Sequence, residues 1–211
     1  MPSTAFKSFE YNLVDTQRTI ETFEGIRQQG AGQGHLTRGG VVLLCAAWEL
    51  YVEHLLRECA AVLTTELSLP SELPLGVQQE LSRAVKQDKH ELRALDLAGN
   101  GWKSVYRAHV EKRTESLNTP KSNKLTPLFA ELIGLPDVST AWSVGGVPLD
   151  DFVSVRGDIA HQGRHADYMK IGDLKKYKEQ VRAYGVETDN ALSAHLKSVT
   201  PKGYKPWNKT S

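Results

Sequence analysis

"GGVVLLCAAWELYVEHLLRECA", residues 39–60, is the stretch on which the fold turns. Leu44, Trp48, Tyr51, Leu55, Cys59 and Val62 step by four, three, four, four and three. An α-helix returns to the same face at that spacing, so the large apolar groups form one stripe. Glu53, Arg57 and Glu58 fall on the other side. The pattern predicts a long core helix from about Leu36 to Leu67, closed by the prolines of "SLPSELPLG".

Outward from it, the periodicity stays helical. Phe6, Phe9, Leu13, Ile20, Phe23 and Ile26 mark a first helix to about Gln29, ended by the glycines of "GAGQG". A third helix is expected from about Val77 to Leu97, with Leu81, Val85, Leu92 and Leu95 inward and "AGNG" as its stop. Trp102, Tyr106, Val110, Arg113 and Leu117 suggest a fourth, and Leu125, Leu128, Phe129, Leu132 and Ile133 a short fifth. A sixth is expected over 149–162 after "SVGGVP". Asp173 is placed to cap a last long helix, with Leu174, Tyr177, Val181, Tyr184, Leu192 and Leu196 inward and Pro201 at its end. No alternating pattern lasts long enough for a sheet, and no segment repeats. The expectation is an all-α bundle over residues 1–200, built on two long antiparallel helices with shorter ones around them. Residues 201–211 read as a basic, flexible tail, with three lysines, Tyr204, Trp207 and no acid.

The chain has 211 residues, 24 % of them charged, with a net charge of +1. That excludes a surface coated in positive charge for duplex binding; any nucleic-acid contact must be local or gathered by an oligomer. Cys45 and Cys59 lie about 21 Å apart on one helix, beyond disulfide reach. Unpaired thiols, an N-terminus without an apolar leader core and no evident span of about 20 apolar residues lead us to expect a cytoplasmic protein with no membrane segment.

Chemistry concentrates in "VSVRGDIAHQG", residues 153–163. Arg156 and His161 are five apart, about 140° around a helix, and Gly163 offers a stop just past the histidine. A guanidinium presents a fixed fork of donors to a phosphate; an imidazole titrates near neutral pH and moves protons. Together they suit phosphodiester cleavage without a metal or other cofactor, with a twofold dimer supplying a second histidine. Spacing alone favours a solvated or capping role, with His161 capping helix carbonyls and Arg156 pairing with Asp158 or Asp151. Arg164 and His165 just beyond either widen a phosphate cleft or are solvated. Asp150 and Asp151 start their helix and read as caps. His54, His90, His109 and His195 are scattered without paired carboxylates, so no metal site is expected.

Arg156, the four residues "GDIA", and His161 resemble the R-x(4–6)-H motif of the HEPN superfamily. "GGVVLLCAAWELYVEHLLRECA" is similar to the long early helix of those domains. "NKLTPLFAELIGL" with "AW" after it resembles the intervening segment of the RiboL-PSP-HEPN, or MAE-type, subgroup; together the likeness covers residues 8 to 198. The resemblance implies a homodimeric, metal-independent endoribonuclease acting on RNA, the toxin or effector of a toxin–antitoxin or antiphage system, with an antitoxin or other defence protein as partner. It implies Arg156 and His161 as the catalytic pair, with Glu49 orienting them. In one place the chain departs from the family pattern. A polar residue usually follows the arginine, whereas here Gly157 does, and Asp158 comes one later. Asp158 either substitutes for that residue, or the domain is a non-catalytic module binding RNA or a partner protein.

Overall fold

The computed structural model describes residues 1–26, 33–166, 169–201 and 204–210. Among these the chain forms seven α-helices and no strand: α1 (Thr4–Ile26), α2 (Gly34–Glu66), α3 (Leu75–Gln87), α4 (Gly101–Glu115), α5 (Ser122–Ile133), α6 (Val147–Gln162) and α7 (Ile171–Val199). The stripe that predicted α2 is its buried face: Leu44, Trp48, Tyr51, Leu55 and Cys59 are each no more than 1 % exposed. By length and composition α2 could cross a bilayer, contrary to the sequence expectation, but its apolar side chains are largely taken up by the core. Cys45 and Cys59 are free, buried thiols.

Aromatic packing sets the centre. Phe9 stacks on Tyr51 at 4.8 Å and meets Trp48 edge-on. Gly185 of α7 allows this approach, since a Cβ there would lie 2.5 Å from the Phe9 ring. Tyr51 donates its hydroxyl to the Gly185 carbonyl at 2.9 Å. Gly40 faces Leu174 and Tyr51 faces Gly185, so α2 and α7 run the same way. α1 runs against both: Ser3 bonds Asp189 while Glu24 pairs with Lys175. The antiparallel partner of α2 is therefore α1, as the short connection between them favours.

Two expectations change. The third helix ends at Gln87, and Arg93–Leu97 form a separate 3-10 turn. Asp88 accepts from the His90 N–H and pairs with Arg93, which also pairs with Asp96. These local bonds compete with the helical ladder. Leu92 and Leu95 consequently lie exposed, at 59 % and 67 %, rather than inward. Arg113 does not continue the α4 stripe into apolar core; it bridges the buried Glu80 of α3 and Glu131 of α5.

The C-terminal segment carries a packing role that its composition does not advertise. Trp207 is 6 % exposed and donates its indole N–H to the Asp189 carbonyl. Ser193 bonds the Trp207 carbonyl, Asn190 and Thr210 exchange two bonds, and the Asn208 N–H reaches the Met1 carbonyl.

Candidate active site

α6 is held at both ends. Asp150 accepts from the backbone N–H and the hydroxyl of Ser122, so it caps the neighbouring α5 rather than its own helix. Tyr184 of α7 bonds the Gly145 carbonyl just before α6 begins. At the far end Gly163 stops the helix with φ +56°, a backbone that side chains with a Cβ rarely adopt. The Gly163 N–H closes on the Ile159 carbonyl.

Leu149, Phe152 and Val153 form the buried stripe of α6, and Arg156 is the next residue along it. The half-buried guanidinium faces α2 beside Cys45 and Glu49, one helical turn apart. Burial pushes the Glu49 carboxyl above its ordinary range; Arg156 draws it back down and Glu53 adds to the rise. Burial likewise lifts the Cys45 thiol to about 11, against the pull of Arg156, so it stays protonated and unreactive. Arg156 forms no hydrogen bond or ion pair among the described residues, and neither Asp158 nor Asp151 pairs with it.

His161 stands exposed in the last turn of α6, also without a hydrogen bond or ion pair among the described residues. Within one subunit it is not brought against Arg156. The two lie about 140° apart around the helix and about 7.5 Å apart along it. Asp158 is about 200° from Arg156 and turns away from it, toward α7. There it lines a cleft of about 220 Å³ with Val155, Ile159, Gln162, Met169 and Tyr177. Gly157 lies between Arg156 and His161 on the outer side, and a Cβ there would meet nothing within 4 Å. His165 is exposed on the 3-10 turn Gly163–His165; the Arg164 side chain lies outside the described residues.

Sequence reasoning named Tyr177 only as an inward residue of the last helix and did not place Gln162 at a cleft. The signal was present: Val155, Asp158, Ile159 and Gln162 recur at three and four residues, a second stripe beside that of Arg156. Two scattered histidines have structural surroundings. His195 bonds the Ile133 carbonyl at 3.0 Å, with burial holding its imidazole below the ordinary value, and His109 lies 3.3 Å from Glu80. Among the described residues no group of three His, Cys, Asp or Glu side chains is placed to hold a metal.

Beside Glu49 the outer face of α2 is apolar. Val42, Leu43 and Leu50 are 39–44 % exposed, and Ala46 between them is exposed too. They recur at three and four residues, giving a narrow stripe suited to helix contact.

A family model, RiboL-PSP-HEPN, matches residues 11–194. No curated protein and no solved structure matches the chain.

Proposed function

Because the chain belongs to the RiboL-PSP-HEPN family, we propose that it is a metal-independent endoribonuclease whose Arg156 and His161 act from two subunits across a shared groove. The observation that carries this reading is that His161 in the last turn of α6, and Arg156 about a turn and a half before it, form no hydrogen bond or ion pair within the described residues. A structural arginine at a half-buried position would be expected to hold a carboxylate. Glu49 lies near enough to bias Arg156 by charge yet leaves its donors free for a phosphate.

In this reading His161 takes the proton from a ribose 2′-hydroxyl, whose oxygen attacks the adjacent phosphorus. The bond to the 5′ oxygen breaks, and the partner's His161 returns a proton to that leaving oxygen. Arg156 binds the phosphoryl oxygens as charge builds on them. The products are a 2′,3′-cyclic phosphate and a 5′-hydroxyl. The apolar stripe of α2 supports a homodimer, since pairing two copies about a twofold axis would bury it and join the two α6 ends. Such an enzyme suits the toxin or effector of a toxin–antitoxin or antiphage system, restrained by an antitoxin or another defence protein.

Gly157 favours a second reading, a non-catalytic module that binds RNA or a partner protein. Incubating the purified chain with total RNA and tRNA in EDTA separates the two. Cleavage that ends in 2′,3′-cyclic phosphate and disappears in His161→Ala, with helix content unchanged, supports the enzyme. Undiminished cleavage by that variant removes His161 from the chemistry.

A further inference from the structure

The cleft between α6 and α7 has the size and polarity of a site for one planar heterocycle. Its 220 Å³ is below the range of about 300–1,000 Å³ usual for drug-sized ligands, and its walls include Ile159, Met169 and the half-buried ring of Tyr177. Phe152 packs on that ring with centroids 5.2 Å apart, tilted by 48°. The polar groups at the cleft are Asp158, Gln162 and Asp173. Asp173 spends one carboxylate oxygen on the Lys170 N–H at 3.1 Å. Asp158 and Gln162 form no hydrogen bond or ion pair among the described residues. A carboxylate and an amide, both solvent-exposed, thus line one small space beside a half-buried aromatic ring.

We propose that this cleft is a guanine-binding pocket that selects the base beside the scissile phosphate. The proposal rests on the ribonuclease reading and adds a specificity to it. Single-stranded RNA is read by stacking a base on an aromatic ring and bonding its Watson–Crick edge. Guanine alone offers two adjacent donors, N1–H and the 2-amino group, with an acceptor, O6, next to them. Asp158 accepts from both donors, the Gln162 amide donates to O6, and Tyr177 stacks on the ring. Adenine and cytosine each bring one amino group beside a bare ring nitrogen, which a carboxylate repels. Uracil brings one N–H between two carbonyls. Two carboxylates also keep the phosphate outside the cleft. His161 lies one turn from Asp158 and next to Gln162, about 5–6 Å from Asp158 between Cβ atoms, so a base in the cleft leaves its phosphate at the imidazole.

The test compares binding of guanosine, adenosine, cytidine and uridine 3′-monophosphates to the full chain by calorimetry. It adds cleavage in EDTA of single-stranded oligonucleotides that differ only in the base before one bond. Guanosine 3′-monophosphate should bind at least tenfold more tightly than the others. Inosine 3′-monophosphate, lacking the 2-amino group, should fall between. Asp158→Asn should abolish the preference, and His161→Ala should keep it. Equal binding of all four nucleotides, or a guanine preference untouched by Asp158→Asn, overturns the pocket even if RNA is cut. A guanine preference that depends on Asp158 in a chain that cuts nothing supports the pocket and defeats the ribonuclease reading.

Discussion

Glu49 on α2 and Arg156 on α6 influence each other through charge without forming an ion pair. The guanidinium draws down a carboxyl that burial has raised. A contact pair would have tied up the donors of Arg156; charge at short range orients the side chain and leaves its fork open. Glu49→Gln removes that pull and also removes the cost of a half-buried charge. Thermal stability at pH 7 should hold or rise while kcat/KM for RNA falls by roughly ten- to a hundredfold, the scale of a misplaced catalytic group. Stability and cleavage falling together would mean that Glu49 serves the fold alone.

Gly157 sits at the helical surface between Arg156 and His161 with open space where a Cβ would go. Alanine there should stabilise the chain by about 0.5–1 kcal/mol, because glycine in a helix interior costs backbone entropy. Gly157→Asn brings a polar side chain one turn below His161. It should raise the cleavage rate above that of Gly157→Ala at similar stability. Single-turnover rates for both variants, set beside urea denaturation curves, check this; equal rates would leave the glycine without a catalytic cost.

Much of this was legible from periodicity because the core is made of apolar stripes. The stripe through Trp48 and Tyr51 specified α2, and Leu149, Phe152 and Val153 specified the inward face of α6. The direction of Arg156 toward the bundle and of Asp158 away from it was not drawn from that face, and a pairing of the two was left open. Leu92 and Leu95 were misread because apolar spacing is blind to the bonds by which Asp88 and Arg93 break the helix. Trp207 was misread because one tryptophan in a basic tail has no period; its anchor is the backbone carbonyl of Asp189, set by tertiary contact alone. The cleft of Asp158, Gln162 and Tyr177 joins two helices, and no pattern within one helix reports on it.

In the homodimer proposed above, the exposed stripe of Val42, Leu43, Ala46 and Leu50 is the surface expected to meet its copy. Its side chains are outside the core, so charging it should leave the monomer folded. Leu50→Glu, alone or with Leu43→Glu, should convert a dimer to a monomer and remove cleavage, with thermal stability changed by about 1 kcal/mol or less apart from the loss of dimer linkage. Light scattering with circular dichroism reads both. A variant that stays dimeric with full activity would place the interface elsewhere.

Asp189 predicts how stability responds to pH. It is fully buried on α7, accepts from the hydroxyl and the N–H of Ser3, and faces Glu58. Burial pushes its carboxyl up to about 6; the Ser3 bonds oppose that rise and Glu58 adds to it. In the unfolded chain an aspartate titrates near 3.9, so the folded state holds the proton more tightly. Its stabilising contribution is whole below about pH 4 and is lost as pH rises through about 6, a change of about 2–3 kcal/mol. Asp189→Asn keeps an acceptor for Ser3 and removes the charge. It should flatten the decline between pH 4 and 6 and raise the unfolding midpoint at pH 8, where the native carboxylate is ionised. Denaturant unfolding at pH 4, 5, 6 and 8 compares the two chains. If their stabilities run parallel across that window, another group carries the pH dependence and the folded chain does not hold the Asp189 proton more tightly than the unfolded one.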